Sequence, residues 1–380
     1  MMHTISTEPE NIPLEEWQAL EAFFKSTNGD YWRLKRSSTP WNLSNYPKNN
    51  PCYDKWVGIT CTCYHHTHTH YYGPGTYANY NYDDYSTNLP TPSCNIEKLV
   101  LSHYNLTGFI TSEIKKLQNL TVLILEYNNL LGALPEVLWT LKNINKIGLS
   151  RNKFTGLIPS NVGNLGQLQH LQLYDNSLTG SIPSSVGNLG QLQYLYLNDN
   201  SLTGSIPSSI GNLGQLQSLG LNGNSLKGSI PSSIGNLVQL QYLYLHDNSL
   251  AGSIPSSIGN LVQLQYLILF NISFTGWIPS SVGNLGLLQF LILYENSLTG
   301  SIPSSNLGQL QYLYLNDNSL TGSIPSSVGN LGQLQSLQLN DNSLTGSIPL
   351  SFNLLVSLSV ILMYSNHLSG PLFNIFDPSI

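Results

Sequence analysis

LQHLQLYDNSLTGSIPSSVGNLGQ, residues 168–191, decides the fold, because the chain repeats it along most of its length. With Leu168 as position one, apolar residues fall at one, four, six and eleven (Leu168, Leu171, Leu173, Leu178). Asn176 stands at nine, Gly180 at thirteen, and Ile182-Pro183 at fifteen and sixteen. Units begin at Ile96, Leu120, Ile144, Leu168, Leu192, Leu216, Leu240, Leu264, Leu288, Leu310, Leu334 and Leu358, and ten of the eleven intervals are 24 residues. The exception, Leu288 to Leu310, lacks the Val-Gly of its neighbours, a deletion expected to shorten one convex segment and change curvature locally while the strands keep register. A period of this length is the mark of a solenoid, in which each unit buries its apolar residues against its neighbours.

Each unit reads as a short strand followed by a turn and an extended return. Residues at four and six (Leu195 and Leu197, for example) point inward and the alternate ones outward, as a period of two requires. Stacked units then pair into one parallel sheet, ~4.8 Å per unit, giving a curved rod roughly 50–60 Å long. Asn at nine lies where the chain turns, and buried backbone groups there need a side-chain partner. Asn128, Asn152, Asn176, Asn200, Asn224, Asn248, Asn296, Asn318, Asn342 and Asn366 fill that column; Tyr104 and Ile272 do not, and these are the predicted weak rungs. Gly at thirteen occurs in all twelve units, from Gly108 to Gly370, as close backbone approach or a positive φ demands. The following Ile-Pro holds an extended segment.

Ahead of the units, residues 12–27 read as an amphipathic cap helix. Pro13 suits its first turn, Glu15 and Glu16 its positive end, and Asn28-Gly29 ends it, while Leu14, Trp17, Leu20, Phe23 and Phe24 form one apolar stripe. Next come Trp41-Asn42, Pro51-Cys52, Trp56, Gly58, Ile59, Thr60 and Cys61. These residues, with the 24-residue units behind them, resemble the plant-type leucine-rich repeat proteins and their N-terminal cap, a family that includes receptor-like ectodomains, polygalacturonase inhibitors and an ice-binding protein. The resemblance implies an α/β solenoid: a right-handed curved superhelix with a parallel sheet on its concave face, a mostly irregular or 3-10 convex side, and a helical, disulfide-tied cap. It implies a Cys52–Cys61 pair and a non-enzymatic recognition module working outside the cell.

Residues 64–93 depart from that pattern. The stretch YHHTHTHYYGPGTYANYNYDDYSTNLPTP has no apolar periodicity and reads as a Tyr/His-rich low-complexity loop. Cys63 and Cys94 bracket it, so a second bridge would staple its base; four cysteines allow three connectivities, and sequence does not choose among them. A metal site from Cys61, Cys63, His65, His66, His68 and His70 is the competing reading, but the spacing lacks the separated ligand pairs of zinc sites. The expected organisation is therefore a cap over 1–63, an insert over 64–93, twelve units over 94–373 and a minimal tail over 374–380. Phe373, Ile375 and Phe376 are expected to fold over the last rung; left open, that end would offer a dimerising edge.

Composition narrows the partners. Only 9% of residues are charged, and the net charge is −6 with 14 Lys plus Arg, which argues against neutralising a phosphate backbone. No run approaches the ~18 apolar residues of a membrane span, and no basic end followed by an apolar block marks a signal peptide at the start. The paired cysteines favour an extracellular or cell-surface setting, with a cytoplasmic scaffold as the alternative. Four sequons, at Asn42, Asn105, Asn119 and Asn271, are candidate glycan acceptors.

Outward positions make the candidate site. Gln fills position two in eight units, from Gln169 to Gln335. Aromatics gather at three, five and seven: Tyr174, Tyr194, Tyr196, Tyr242, Tyr244, Tyr266, Phe270, Phe290, Tyr294, Tyr312 and Tyr314. Acids collect at eight: Asp175, Asp199, Asp247, Glu295, Asp317 and Asp341. Tyr gives rigid amphipathic contact area at low entropic cost, which suits recognition; it is also a good strand former, which the copying of one unit would multiply. Chemistry repeated at every rung suits an extended ligand such as a peptide or polysaccharide, or ice. His170 and His246 face the same side near acids, with no nucleophile placed to complete a triad, so catalysis, cofactors and resident metals are not expected. The expected function is recognition of a protein, peptide or polysaccharide on the concave face, with ice binding, glycosidase inhibition and a cytosolic interaction scaffold as alternatives.

Overall fold

The computed structural model describes residues 12–34, 38–43, 49–64, 93–304 and 307–370. Its spine is a thirteen-stranded sheet, one short strand per unit, with Leu195 beside Leu171 on one side and Leu219 on the other. All pairs are parallel but the first: Ile59–Tyr64 runs antiparallel to Ser93–Val100, so the sheet begins with a hairpin from the cap. The expected insert falls between those two strands, and residues 65–92 lie outside the described residues.

Positions four, six and eleven carry the core. Leu171, Leu173 and Leu178 have no exposed surface, and the same holds for their counterparts along most of the stack. Each such side chain contributes about 1.5–3 kcal/mol before ordering costs. Because those contacts run between units, no unit is stable alone. Proline then opens a single 3-10 turn on the convex side, Ser184–Asn188 being typical, with Val186 buried beneath it.

Three additional small sheets, of five, three and four strands, run along the flank. They are built from segments such as Ser177–Ser181, which follow the Asn turn, where the expected backbone is irregular. Ser-Leu-Thr-Gly-Ser is too polar to announce a strand by alternation; stacking supplies the neighbouring backbone that pairs it. Within it Gly180 has φ +73°, and every Gly at thirteen is likewise positive, so the recurrence is conformational.

The Asn column behaves as expected. Asn200 Oδ1 accepts from Leu178 N–H of the preceding unit at 2.9 Å, and its Nδ2 donates to the carbonyls of Leu173, Leu197 and Asn198 at 3.0–3.2 Å. At the broken rung Ile272 is buried as an apolar filler, and Asn271 turns outward to donate to Asp247 Oδ1 at 2.7 Å. Tyr104 breaks no ladder, because it belongs to the first unit and its carbonyl accepts from Arg33 N–H of the cap at 2.7 Å.

Across the two-residue deletion the strands stay in register, Leu291 beside Leu313. The shortened unit leaves a cavity of about 20 Å³ lined by residues including Ile302, Leu307 and Val328. In other units this level is filled by a buried apolar side chain, such as Val186 or Ile210.

The cap helix spans Leu14–Ser26 and buries Trp17, Leu20 and Phe23. Two expectations fail here. Leu14 is about half exposed, and Glu16, assigned to the helix dipole, is buried, accepting from Ile96 N–H at 2.7 Å. Burial pushes its carboxyl up to about 7, partly opposed by the Ile96 amide and by Asn119. Trp17, Trp41 and Trp56 pack in sequence, with ring centroids 5.3 Å apart for Trp17–Trp56 and 5.8 Å for Trp41–Trp56. Both bridges form: Cys52–Cys61, and Cys63–Cys94 directly across the hairpin. The thiols of the alternative metal reading are thereby consumed, and its histidines lie outside the described residues. The tail with Phe373, Ile375 and Phe376 also lies outside them.

Candidate concave-face site

Strand positions three and five project from the sheet on the side opposite the leucine core, and seven and eight continue that surface into the turn. The tyrosines predicted for the site stand on this face, and all but Tyr174 make ring contacts with another aromatic side chain there. At position three, Tyr242, Tyr266, Phe290 and Tyr312 form a ladder with centroids 5.1, 4.3 and 4.6 Å apart. At position seven, His246, Phe270 and Tyr294 form a second, at 4.4 and 4.5 Å with their planes nearly parallel. His170 stacks on Tyr194 at 4.7 Å. Rung spacing close to the stacking distance of two rings makes this possible, and such pairs add about 0.5–1.5 kcal/mol each.

One correction follows. These rings are half-buried, because each covers the next, and Ile268 and Ile292 lie covered at position five. The aromatic layer is in part its own reason for existing. The phenols that sink deepest are held neutral: burial pushes Tyr244 up to about 12 and raises Tyr196. Tyr194 and Tyr312 donate to Gln217 and Gln335 Oε1 at 3.0 and 3.1 Å, so the Gln column braces the rings.

The acids need a second reading. Asp175, Asp199, Asp247, Glu295, Asp317 and Asp341 all have φ between +52° and +54°. So do His103, Tyr127, Arg151, Asn271, Gly223 and Ser365 within a few degrees or tens of degrees, which makes position eight a left-handed residue in every unit. Asp and Asn tolerate that conformation better than most side chains. The column is therefore selected by backbone geometry, whatever else it does. Of its members, Asp175 is drawn to Arg151 at 3.5 Å, and Arg151 lies over the Tyr127 ring at 4.8 Å. Asp199 and Asp317 each accept from the preceding Asn at 2.7 Å.

Tyr174, Tyr196 and Tyr244 do not join the position-three ladder. They surround a cleft of about 260 Å³ whose other walls are Asn198, Gly220 and Asn222. Sequence reading missed this cleft, although its signal was present: beyond Gln217 at position two, the unit starting at Leu216 carries only Ser218, Gly220, Asn222 and Gly223 on its outward positions.

Comparison with known proteins agrees with this architecture. Family matches described as "Leucine-rich repeat region" cover residues 174–273, "Leucine rich repeat" 142–202, and "Leucine Rich Repeat" 119–141, 309–331 and 333–355. No curated protein sequence matches. Among solved structures, the ectodomain of the Arabidopsis thaliana receptor kinase GASSHO1/SCHENGEN3, bound to CASPARIAN STRIP INTEGRITY FACTOR 2, is similar at 33% identity over 94% of this chain and 42% of that one, TM-score 0.76. The Arabidopsis receptor kinase HAESA, with the peptide hormone IDA and the co-receptor SERK1, is similar at 31% identity over 94% and 54%, TM-score 0.74. A plant ice-binding protein shares the fold at 23% identity, over 95% of this chain and 97% of that one, TM-score 0.61. The chain spans about half the length of the receptor structures it matches.

Proposed function

This chain is a leucine-rich repeat protein, and from that premise we propose that it is a binding module, without catalysis, that captures an extended peptide along its concave face outside the cell. The observation that carries the reading is the pair of aromatic ladders, which offers the same amphipathic surface at successive rungs. Peptide-bound receptor ectodomains among its structural neighbours support it. The two cystine bridges support an oxidising compartment. The test is the triple change Tyr266→Ser, Phe290→Ser and Tyr312→Ser, using the residue that Ser218 and Ser336 already place in that column. Peptides retained from a displayed random library by the unaltered protein should be lost by the variant while its thermal unfolding stays cooperative. Equal retention by both proteins would end this reading.

A second reading, ice binding, is favoured by a different surface. Thr179, Thr203, Thr299, Thr321 and Thr345, each followed two residues later by an exposed Ser (Ser181, Ser205, Ser301, Ser323, Ser347), recur on the two outer flank sheets, where Thr of one unit pairs with Ser of its neighbour (Thr203 with Ser181, Thr345 with Ser323). Inhibition of ice recrystallisation that is lost on Thr→Tyr changes there, and untouched by the ladder variant, would favour it over peptide capture.

A further inference from the structure

We infer that the cleft over Gly220 is a specificity pocket for one basic side chain, arginine or lysine, of the bound peptide. The inference rests on the peptide reading and adds to it a position and a chemistry. At about 260 Å³ the cleft falls below the ~300–1,000 Å³ of sites for whole drug-sized molecules, so it suits a single side chain. It exists because one unit is bare: its neighbours place Tyr196 and Tyr244 at position five, where this unit has Gly220.

Three of the walls are aromatic, and one polar atom turned toward the cleft is an acceptor. The Tyr196 ring and Asn198 Oδ1 lean over Gly220, 2.9 and 3.2 Å from where a β-carbon there would stand. Asn198 spends its Nδ2 on Asp199 Oδ2 at 2.7 Å, which leaves Oδ1 turned toward the cleft as an acceptor. Asp199 is not itself a wall, but its carboxylate is held beside the Asn198 wall by that bond and lies over the next outward residue of the bare unit, Gly223, its Oδ1 2.5 Å from where a β-carbon there would stand. An occupant should therefore be donor-rich, flat or slender enough to lie between rings, and positively charged. A guanidinium or ammonium group meets all three demands, combining cation–π attraction with charge-assisted hydrogen bonds.

Charge around the cleft points the same way. From residue 168 to 370 the chain has six acids, all at position eight, and a single Lys or Arg, Lys227, which lies on the flank strand Lys227–Gly228. Asp175 has Arg151 beside it, whereas Asp199 accepts from Asn198 and has no Lys or Arg within ion-pair distance among the described residues. An acidic or carboxylate-terminated group would meet repulsion here.

The test pans a displayed library of random dodecapeptides on the native protein and on Gly220→Gln in parallel. Gln occupies the same column at Gln172 and Gln338, so the variant should fold, and an unchanged melting curve verifies it. Peptides retained by the native protein should share one Arg or Lys and lose at least about tenfold in affinity on Gly220→Gln. Replacing that residue in the peptide by citrulline, or Asp199 by Asn in the protein, should cost a similar factor. Retained peptides without a common basic residue, or with equal affinity for Gly220→Gln, would overturn the pocket. If those peptides still depend on Tyr266, Phe290 and Tyr312, only the pocket falls; if they depend on neither, the concave-face reading falls as well.

Discussion

Positions eight and nine of each unit are neighbours in the chain and opposites in what constrains them. At nine the side chain itself is the requirement: Asn200 ties two units together through four hydrogen bonds. At eight the requirement is a backbone angle, and Asp, Glu, Asn, Gly, Arg, Tyr, His and Ser all meet it. One column repeats the same residue in ten of twelve units because its atoms are used internally. The other drifts toward acids because small polar residues tolerate positive φ, and its charge is left over for a ligand. Two columns that look equally regular on paper thus differ in whether function can act on them.

The sharpest way to break this contrast is Asn200→Ala. It should cost about 4 kcal/mol, since Leu178 N–H and the shared carbonyls lose their partner in a half-buried turn. Denaturant unfolding measures the loss, and amide exchange should show it centred on Leu178; a cost near zero would mean that water replaces the ladder.

Next in size is a carboxylate that, unlike those at eight, is buried. Glu16 has its carboxyl raised to about 7 from 4.5, so the folded state holds the proton more tightly than the unfolded chain. Stability from this group is full below about 4.5, declines as pH rises to about 7, and stays lost above it. Glu16→Gln should flatten that decline and raise stability at pH 8 by up to about 3 kcal/mol, while still accepting from Ile96 N–H. Melting temperatures of both proteins across pH 4–8 provide the check.

Position eight itself should respond to shape before charge. Asp317→Val, which puts a β-branched residue at φ +52°, should cost about 1–2 kcal/mol. Asp317→Gly should stay within about 0.5 kcal/mol, because glycine adopts that angle freely. Equal costs for the two would return the acids to a purely chemical role. The smallest stability effect belongs to the outward rings: Tyr196→Ala with Tyr244→Ala should cost at most about 1 kcal/mol by calorimetry while removing ligand capture, since both project away from the leucine core.

Much of this molecule was legible before any coordinates. Leucines at fixed spacing gave the stack, Asn the turn ladder and Gly the positive φ, because each is demanded within one unit and its immediate copy. Glu16 was misread for the opposite reason. Its partner, Ile96 N–H, is 80 residues away, and nothing in a helical pattern tells an acid near the dipole from one pressed under the first unit.

The repeat period alone therefore determined the solenoid, its parallel sheet and the side on which the tyrosines stand. Only the tertiary structure decided that those rings shield one another, that the flank segments pair as strands, and that one bare unit opens a cleft over Gly220. The physical reason is range. Residue choice within a unit answers to that unit's own backbone, whereas contact, burial and emptiness on the surface depend on what the neighbouring rungs place beside it.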